Sequence, residues 1–484
     1  MLRSTSLLSL VAGACATLGL AAPACLPSSA AASRPLALGF SDGVFEEGEP
    51  QAGQWLARAA ASGASYVRLD VAWSQIAPTR PAHPDSPADP AYHWAKLDEQ
   101  VRDVIAHRLT PFLTVAGAPR WAEGAHRPAS VMPGAWRPSA DALGAFAHAL
   151  AKRYSGSYPD PLQAGATLPR VRYLQAWNEP NLAIYLAPQW VRERGRWQPT
   201  SPSIYRNMLN AFFAGVKSAV HSDVVISAGT APFGDLSPAE EGVGSQRMPP
   251  VSFVRQLLCL RGNRLRPIRC PHPAHFEILD HHPYEIYGPF WHAIDAGDVS
   301  IPDMAKLTAP LRKAERTGRV LPPGRKAVWV TEIGWNTDPP NPHGVPMAKD
   351  ARWVAQALYE LWSENVSMVS WYLIRDEAPI PSYSLTTQTG MYFRNGSPKL
   401  AERAFRFPFL IAAAGRGGSV WWARTPVAGL LRVQRLASDR WQTAYRRRVR
   451  AGEVIEQALP HGSEGRAWRA VVGGQRSLVW SPRG

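Results

Sequence analysis

The sequence predicts an α/β protein: a (β/α)8 barrel followed by a small C-terminal all-β domain. Three observations carry this. Eight short apolar runs, each with the look of a buried strand, alternate with longer amphipathic segments between residues 36 and 405. Polar and aromatic residues gather at the ends of those runs, where a barrel collects them on one face. Beyond Phe407-Pro408-Phe409 the helical spacing stops, and short strand-like runs separated by Gly, Asp and Ser turns take over. The competing fold, a doubly wound open sheet, would place a glycine-rich phosphate-binding fingerprint after its first strand. Gly39-Phe40-Ser41-Asp42-Gly43 does not supply one.

In chain order, residues 1–32 read first as a secretory signal. Arg3 supplies the positive charge, Leu7 to Ala22 is apolar and small, and Ala22-Pro23-Ala24 and Ala30-Ala31-Ala32 both suit cleavage. The run is too short and too rich in Ala and Gly for a good membrane anchor. Lipoprotein anchoring at Cys15 or Cys25 fits a Leu-x-small pattern poorly. No later stretch reads as a membrane span. Strands are expected at Leu36–Phe40, Tyr66–Val71, Thr110–Ala116, Val171–Trp177, Val224–Ala228, Phe276–His281, Ala327–Thr331 and Val369–Ile374. Between them helices are expected at Gln51–Ala61, Tyr92–His107, Ser139–Tyr154, Ser203–His221, Pro250–Leu260, Asp303–Thr317 and Lys349–Ser363. In the fourth of these, Met208, Leu209, Phe212, Val216 and Val220 recur at helical spacing. Gly390–Lys399 reads as a turn-rich hairpin leading into a helix at Pro398–Phe405. Residues 33–407 thus form the barrel domain. Residues 408–484, with strands expected at Val420–Ala423, Leu430–Leu436, Trp441–Tyr445, Trp468–Val472 and Ser477–Trp480, form a sandwich-like domain. It binds polysaccharide or, more simply, braces the barrel.

The chain has 484 residues, of which 45% are hydrophobic, enough for a large catalytic domain and a small companion. Its formal net charge is +15. Such an excess can mark a protein that meets an acidic polymer, but here arginine is scattered along the chain. One local excess, Arg446-Arg447-Arg448 with Arg450, reads as a solvated strand face or edge. No element interleaves basic residues with aromatics as a nucleic-acid binder would. Two cysteines, Cys259 and Cys270, remain in the body of the chain. An exported protein most simply pairs them, a short-loop bond worth about 3 kcal/mol on chain-entropy grounds. The alternative is two free thiols; His272 and His275 do not complete a zinc-ligand spacing.

Two strings carry the chemistry: Tyr173-Leu-Gln-Ala-Trp-Asn-Glu-Pro-Asn181 and Val328-Trp-Val-Thr-Glu-Ile-Gly-Trp335. Each is an apolar run ending in a glutamate. A carboxylate is costly to bury, so a Glu at a strand end faces a cleft more readily than a core. Two glutamates from separate strands are what glycoside hydrolysis needs, one to protonate the leaving oxygen and one to attack or support the sugar carbon. Arg68 and Asp70 on the second strand, Trp121 after the third, His282 and Tyr284 after the sixth and Trp371 in the eighth fall at the same end. Each has a plainer reading taken singly: an Arg68–Asp70 ion pair, a core Trp371, strand-terminating His282 and Tyr284.

With Glu179 and Glu332 so placed, residues 36 to 405 resemble the clan A retaining glycoside hydrolases, which carry catalytic glutamates on strands four and seven of a TIM barrel. Within the clan the chain is most similar to family 39 and the broad family 5. Supporting strings are Tyr66-Val-Arg-Leu-Asp-Val-Ala-Trp-Ser-Gln-Ile-Ala-Pro78, His282-Pro-Tyr284 and Gly390–Lys399. A departure falls at strand three. Many family 5 members have a histidine there, whereas this chain reads Leu113-Thr-Val-Ala-Gly-Ala-Pro-Arg-Trp121, which sets it apart from a plain cellulase. The resemblance implies Glu179 as general acid/base, its proton retained beside a second carboxylate. It implies Glu332 as nucleophile, kept ionised by Tyr284 and Arg68, and Asn178 on the sugar 2-hydroxyl. Trp371 would floor the subsite of the cleaved sugar, His282 would support the acid/base or a hydroxyl, and Trp121 and Trp335 would stack on neighbouring sugars. Trp177 is as well placed for core packing as for stacking. The expected substrate is a polysaccharide or oligosaccharide, with no metal or cofactor and no nucleic-acid partner. The rival class is a non-hydrolytic carbohydrate-binding or cell-wall-organising protein on a glycosidase-like barrel, against which the intact glutamate pair argues.

Overall fold

Eight parallel strands close into a barrel: β1 (Ala37–Ser41), β2 (Tyr66–Ala72), β3 (Thr110–Ala116), β4 (Tyr173–Ala176), β5 (Val224–Ser227), β6 (Ile278–Asp280), β7 (Ala327–Val330) and β8 (Met368–Trp371). The computed structural model describes residues 34–48, 50–235, 242–414, 418–460 and 466–481. The expected export signal lies outside the described residues. β1 pairs with β2 through Gly39↔Tyr66 and with β8 through Phe40↔Trp371, which closes the ring. Helices α1 (Gln51–Ala61), α2 (Ala95–Ala106), α3 (Ala140–Arg153), α4 (Ser201–Ala219), α5 (Pro250–Leu257), α6 (Ala305–Arg316) and α7 (Met347–Ser363) supply the outer layer. α3 and α4 pack closely because both are glycine at the crossing: a Cβ on Gly215 would lie 2.0 Å from the carbonyl oxygen of Gly144. No described helix is long and apolar enough to cross a membrane.

Period-two alternation along the strands fills the barrel in layers. Toward the strand N-termini the inward residues are apolar. Phe112, Ile226, Ile278, Trp329 and Met368 form a buried cluster of their own, with Tyr66 and Tyr173 packed against it. The rings meet at 5.3 Å (Tyr66–Trp329), 5.2 Å (Tyr173–Trp329) and 5.9 Å (Phe112–Trp329). Two residues further along the same strands the inward positions turn polar: Arg68, Thr114, Gln175 and Asp280. The polar end of the barrel therefore rests on a plug of aromatic rings.

Expected and observed strands agree in number and place, with shifts at their ends. β8 stops at Trp371 instead of running to Ile374. The Asp42 carboxylate accepts the backbone N–H groups of Ile374 (2.9 Å) and Arg375 (3.0 Å) and draws them out of the ladder. Cys259 and Cys270 form a disulfide, with Cα atoms 5.9 Å apart.

After helix α8 (Leu400–Arg406), two sheets follow. One is built from β9 (Phe409–Ala414), β10 (Gly418–Arg424) and β13 (Val454–Ala458). The other has the order β12 (Arg440–Val449), β11 (Gly429–Ala437), β14 (Trp468–Val472) and β15 (Gln475–Arg476). Trp421 of β10 meets Tyr445 of β12 at 5.0 Å, joining the sheets. β9 and β13 were not expected; Pro408 hid the first, and Val-Ile-Glu-Gln-Ala has no alternation to reveal the second. The strand expected at Ser477–Trp480 is displaced to Gln475–Arg476. Ser477 ends it by taking the Ala470 N–H on its own hydroxyl at 2.9 Å.

These sheets share the barrel's hydrophobic core. Trp422 packs on Tyr359 (5.8 Å) and Trp362 (6.0 Å) of α7. The buried Arg424 guanidinium donates to the Leu36 carbonyl at 2.8 Å, just before β1. Emptying this joint should be costly. Trp422→Ala is expected to lower unfolding free energy by about 3–5 kcal/mol. Urea unfolding followed by tryptophan fluorescence should show barrel and sheets melting in one transition.

Candidate active site

The end of β4 aims two residues into the barrel mouth. After Ala176 the backbone enters the left-handed region at Trp177 (φ 81°) and again at Glu179 (φ 36°). Such angles are strained for non-glycine residues and persist only where the surroundings enforce them. Here the Trp177 indole is buried and donates to the Tyr185 carbonyl at 2.9 Å. Glu179 N–H donates to the Gly229 carbonyl at 3.0 Å. Asn181, wholly buried, accepts the Ala231 N–H at 2.8 Å and donates to the Met248 carbonyl at 3.0 Å. Asn178 is left facing the cavity between these anchors, and Glu179 reaches His282 beside it.

The end of β7 brings Glu332 to the same point. One of its oxygens receives Arg68, and the other receives the Tyr284 hydroxyl at 3.0 Å. Arg68 also donates to Asp70 at 2.7 Å and to Asn178 Oδ1 at 3.1 Å, so one guanidinium ties β2, β4 and β7 together. Between the glutamates stands His282. Its Nδ1 lies 2.9 Å from Glu179 and 3.7 Å from Glu332.

With Glu179 ionised, the hydrogen bonds of His282 call for an imidazolium. Its Nδ1 meets a carboxylate. Its Nε2 meets Thr331 Oγ1 at 3.0 Å, and the Thr331 hydroxyl proton is already committed to Asp280. Both ring nitrogens therefore donate. Burial works against this charge, but Glu332, Asp280 and Glu179 outweigh it and raise the pKa to about 10. Burial opposes ionisation of Glu332 as well, yet His282 and Arg68 hold its pKa below the usual carboxylate value. Burial and the neighbouring Glu332 push Tyr284 well up, so it remains a donor. The adjacent His281 is the converse case. Burial depresses it to about 3, and it sits neutral between Thr230 (2.8 Å) and the Val299 carbonyl (3.0 Å).

Behind these groups lies a buried polar chain. Thr114 donates to Gln175 (2.7 Å), Gln175 to Asp280 (2.6 Å), and the Thr331 N–H to Asp280 (3.0 Å). Space for it depends on one glycine. A Cβ at Gly229 would fall 2.1 Å from His282 Nε2 and 2.7 Å from Asp280.

Two cavities of about 540 and 400 Å³ open on either side of Arg68, Asp70 and Tyr372, which line both. The smaller also touches Asn178, Tyr185 and Glu332. The larger is polar, walled by Asp42, Glu46, Arg375 and Glu377 among others. Burial, then the charge of Asp70, raises Glu46 to about 7.

Of the residues singled out from sequence, Arg68, Asn178, Glu179, His282, Tyr284 and Glu332 converge. The tryptophans do not. Trp371 is 1% exposed, packs on Trp335 at 5.7 Å and donates to the Thr389 carbonyl at 2.9 Å, which leaves no face for a sugar. Trp335, 4% exposed, is likewise core, held by the Glu285 carbonyl. Trp121 stands edge-on to Trp73 at 5.8 Å and donates to the Ala77 carbonyl at 2.9 Å, away from both cavities. The expectation that these rings meet substrate is corrected accordingly. The residues missed were Tyr372, next in chain to the expected Trp371, and Tyr185, in a loop without periodicity. Asp70, its side chain 62% exposed, was expected at the same end of the barrel but given no role beyond an ion pair with Arg68.

Glu179, His282 and Glu332 present ligand-type atoms within 4.8 Å of one another, the spacing of a cation site. The donor set does not suit a metal, because Arg68 and Tyr284 already take the Glu332 oxygens and the Arg68 guanidinium sets a positive charge beside them.

No family model and no curated protein sequence matches the chain. Solved structures do. A family 39 glycoside hydrolase from the gut symbiont Bacteroides cellulosilyticus WH2 aligns with TM-score 0.52 and 17% identity over 93% of this chain and 79% of that one. A GH5_18 protein from Bifidobacterium longum subsp. infantis aligns with TM-score 0.46 and 16% identity over 77% and 78%. An exo-beta-1,4-mannosidase from Opitutaceae bacterium strain TAV5 gives 0.45 and 16% over 77% and 59%. The first likeness establishes a shared fold.

The raised pKa of His282 fixes a sign for stability. Its contribution is complete below about pH 6.5, the unfolded value, and is lost as pH rises through about 10. Melting temperature should therefore fall across that window. In His282→Gln this component of the slope should be absent, which paired thermal scans will test.

Proposed function

We propose that this protein is an exported, retaining O-glycoside hydrolase of the clan A type, acting on a polysaccharide or oligosaccharide. The observation that carries the reading is the carboxylate pair across the barrel mouth. Glu179 and Glu332 offer oxygens within 4.8 Å of each other, and Glu332 is gripped by Arg68 and Tyr284. Carboxyl groups about 5–5.5 Å apart suit double displacement, whereas inversion needs about 6.5–9.5 Å to admit a water between them. The shared fold with a family 39 glycoside hydrolase supports the same reading.

In the first step Glu332 attacks the anomeric carbon while Glu179 protonates the departing oxygen. In the second, Glu179 takes a proton from water, which displaces Glu332 from the sugar. Arg68, Tyr284 and His282 keep Glu332 anionic and aimed. Asn178, its Oδ1 held by Arg68, turns its amide nitrogen toward the sugar 2-hydroxyl. Tyr372, on the wall common to both cavities, takes the flooring role expected of Trp371.

The two carboxylates should separate by role. Glu332→Ala is expected to abolish turnover of every glycoside, with partial rescue by azide or formate entering the vacated space. Glu179→Ala should cut activity on natural glycosides on the order of 10²–10⁴-fold. Dinitrophenyl glycosides, whose leaving group needs little protonation, should still give a rapid burst and then stall. Burst kinetics on a panel of aryl glycosides and polysaccharides measure all of this. Full activity of Glu179→Ala on a natural substrate would reject the assignment.

A further inference from the structure

Among the described residues, no acid pairs with the arginines on the outer face of the β12-β11-β14-β15 sheet. Arg446 of β12 sits directly opposite Arg432 of β11, Arg432 opposite Val471 of β14, and Val471 opposite Arg476 of β15. One row across the sheet thus holds three guanidinium groups. Arg448, opposite Leu430, adds a fourth on one side. On the other side Arg469, opposite Gln434, covers the ring of Trp441 at 4.1 Å. Arg432, Arg446, Arg448 and Arg476 are exposed, while the alternating Val433 and Tyr445 turn inward. These four strands contain no Asp or Glu. Among the described residues Arg432, Arg446 and Arg448 have no acidic partner, whereas the inward Arg447 is paired with Glu453 at 2.8 Å.

Like charges directly opposite each other destabilise a sheet. Guarding an edge against aggregation accounts for charge on β12 and β15. It does not account for Arg432 and Arg469 on the two central strands. The sheet also sets a spacing. Arg446 and Arg432 are one strand apart, about 5 Å, and Arg432 and Arg476 two strands apart, about 10 Å. A guanidinium matches the planar carboxylate and the sulfate group bidentately, which an ammonium does not. We propose that this face binds an anionic polysaccharide, one bearing carboxylate or sulfate groups along its length. Single-stranded nucleic acid fits less well, because bases need open aromatic platforms and the one ring flanked by these arginines, Trp441, lies under Arg469. A lipid surface fits less well because Leu430 is the one large apolar side chain conspicuously exposed among them.

The surface lies on the C-terminal sheets and its binding is read without turnover, so its failure leaves the catalytic proposal standing. The test is titration of the full chain with polygalacturonate and dextran sulfate, with neutral dextran as blank. Two charge-matched variants are compared with the parent: Arg432→Gln/Arg446→Gln/Arg448→Gln, and Arg264→Gln/Arg266→Gln/Arg269→Gln in the disulfide loop. The first should weaken binding by about 10-fold or more and the second by less than about 2-fold, with salt weakening the parent most. The first should melt no lower than the parent, since it removes a repulsive pair. Equal losses in both variants would assign the binding to overall charge and overturn the proposal. So would tighter binding of single-stranded DNA or phosphatidylserine vesicles at the same arginines, or binding of neither acidic polymer.

Discussion

A buried positive charge organises the polar end of this barrel. His282 is enclosed by three carboxyl groups, Asp280 behind it and Glu179 and Glu332 before it, with Thr331 completing its hydrogen bonds. An uncompensated ion at that depth would be very costly. Each strand around it therefore supplies a partner: Gln175 on β4 bonds Asp280, Arg68 on β2 bonds Glu332, and Gly229 after β5 supplies only space. The site is an electrostatic unit whose members position one another. For that reason Glu332 can remain ionised although its side chain is largely buried.

The architecture was legible because its two periods are strong. Alternating apolar runs and amphipathic helices located all eight strands, and the glutamates marked which ends mattered. What stayed hidden depends on distance in space. Trp371 and Tyr372 are neighbours in sequence, and nothing in their order says which ring faces the mouth. The bond from Trp371 to the Thr389 carbonyl decides it. Tyr185 could not be found at all, because its place follows from the strained turn at Trp177 and Glu179 and from the Trp177 indole that grips its carbonyl. Asp280 read as an ordinary strand residue. Its partners lie 51 and 105 residues away in the chain.

The C-terminal sheets are joined to the barrel by its core and are no mere appendage. Trp422 fills a gap beside α7, and Arg424 spends its charge on the Leu36 carbonyl at the root of β1. Ring closure between β1 and β8 thus has an external brace. The inner face of the sheets is committed to this packing, which leaves the outer, arginine-bearing face available to meet other molecules.

The plug of Trp329, Tyr66, Tyr173 and Phe112 makes the barrel a vessel with one opening. Access to the carboxylates is from that mouth, through the two cavities that share Arg68, Asp70 and Tyr372. On the proposed double displacement, the attacking water of the second step enters by the mouth through which the first product departs. On that mechanism, whatever governs occupancy of the mouth governs the partition between hydrolysis and transfer to another hydroxyl, independently of how well the carboxylates are set.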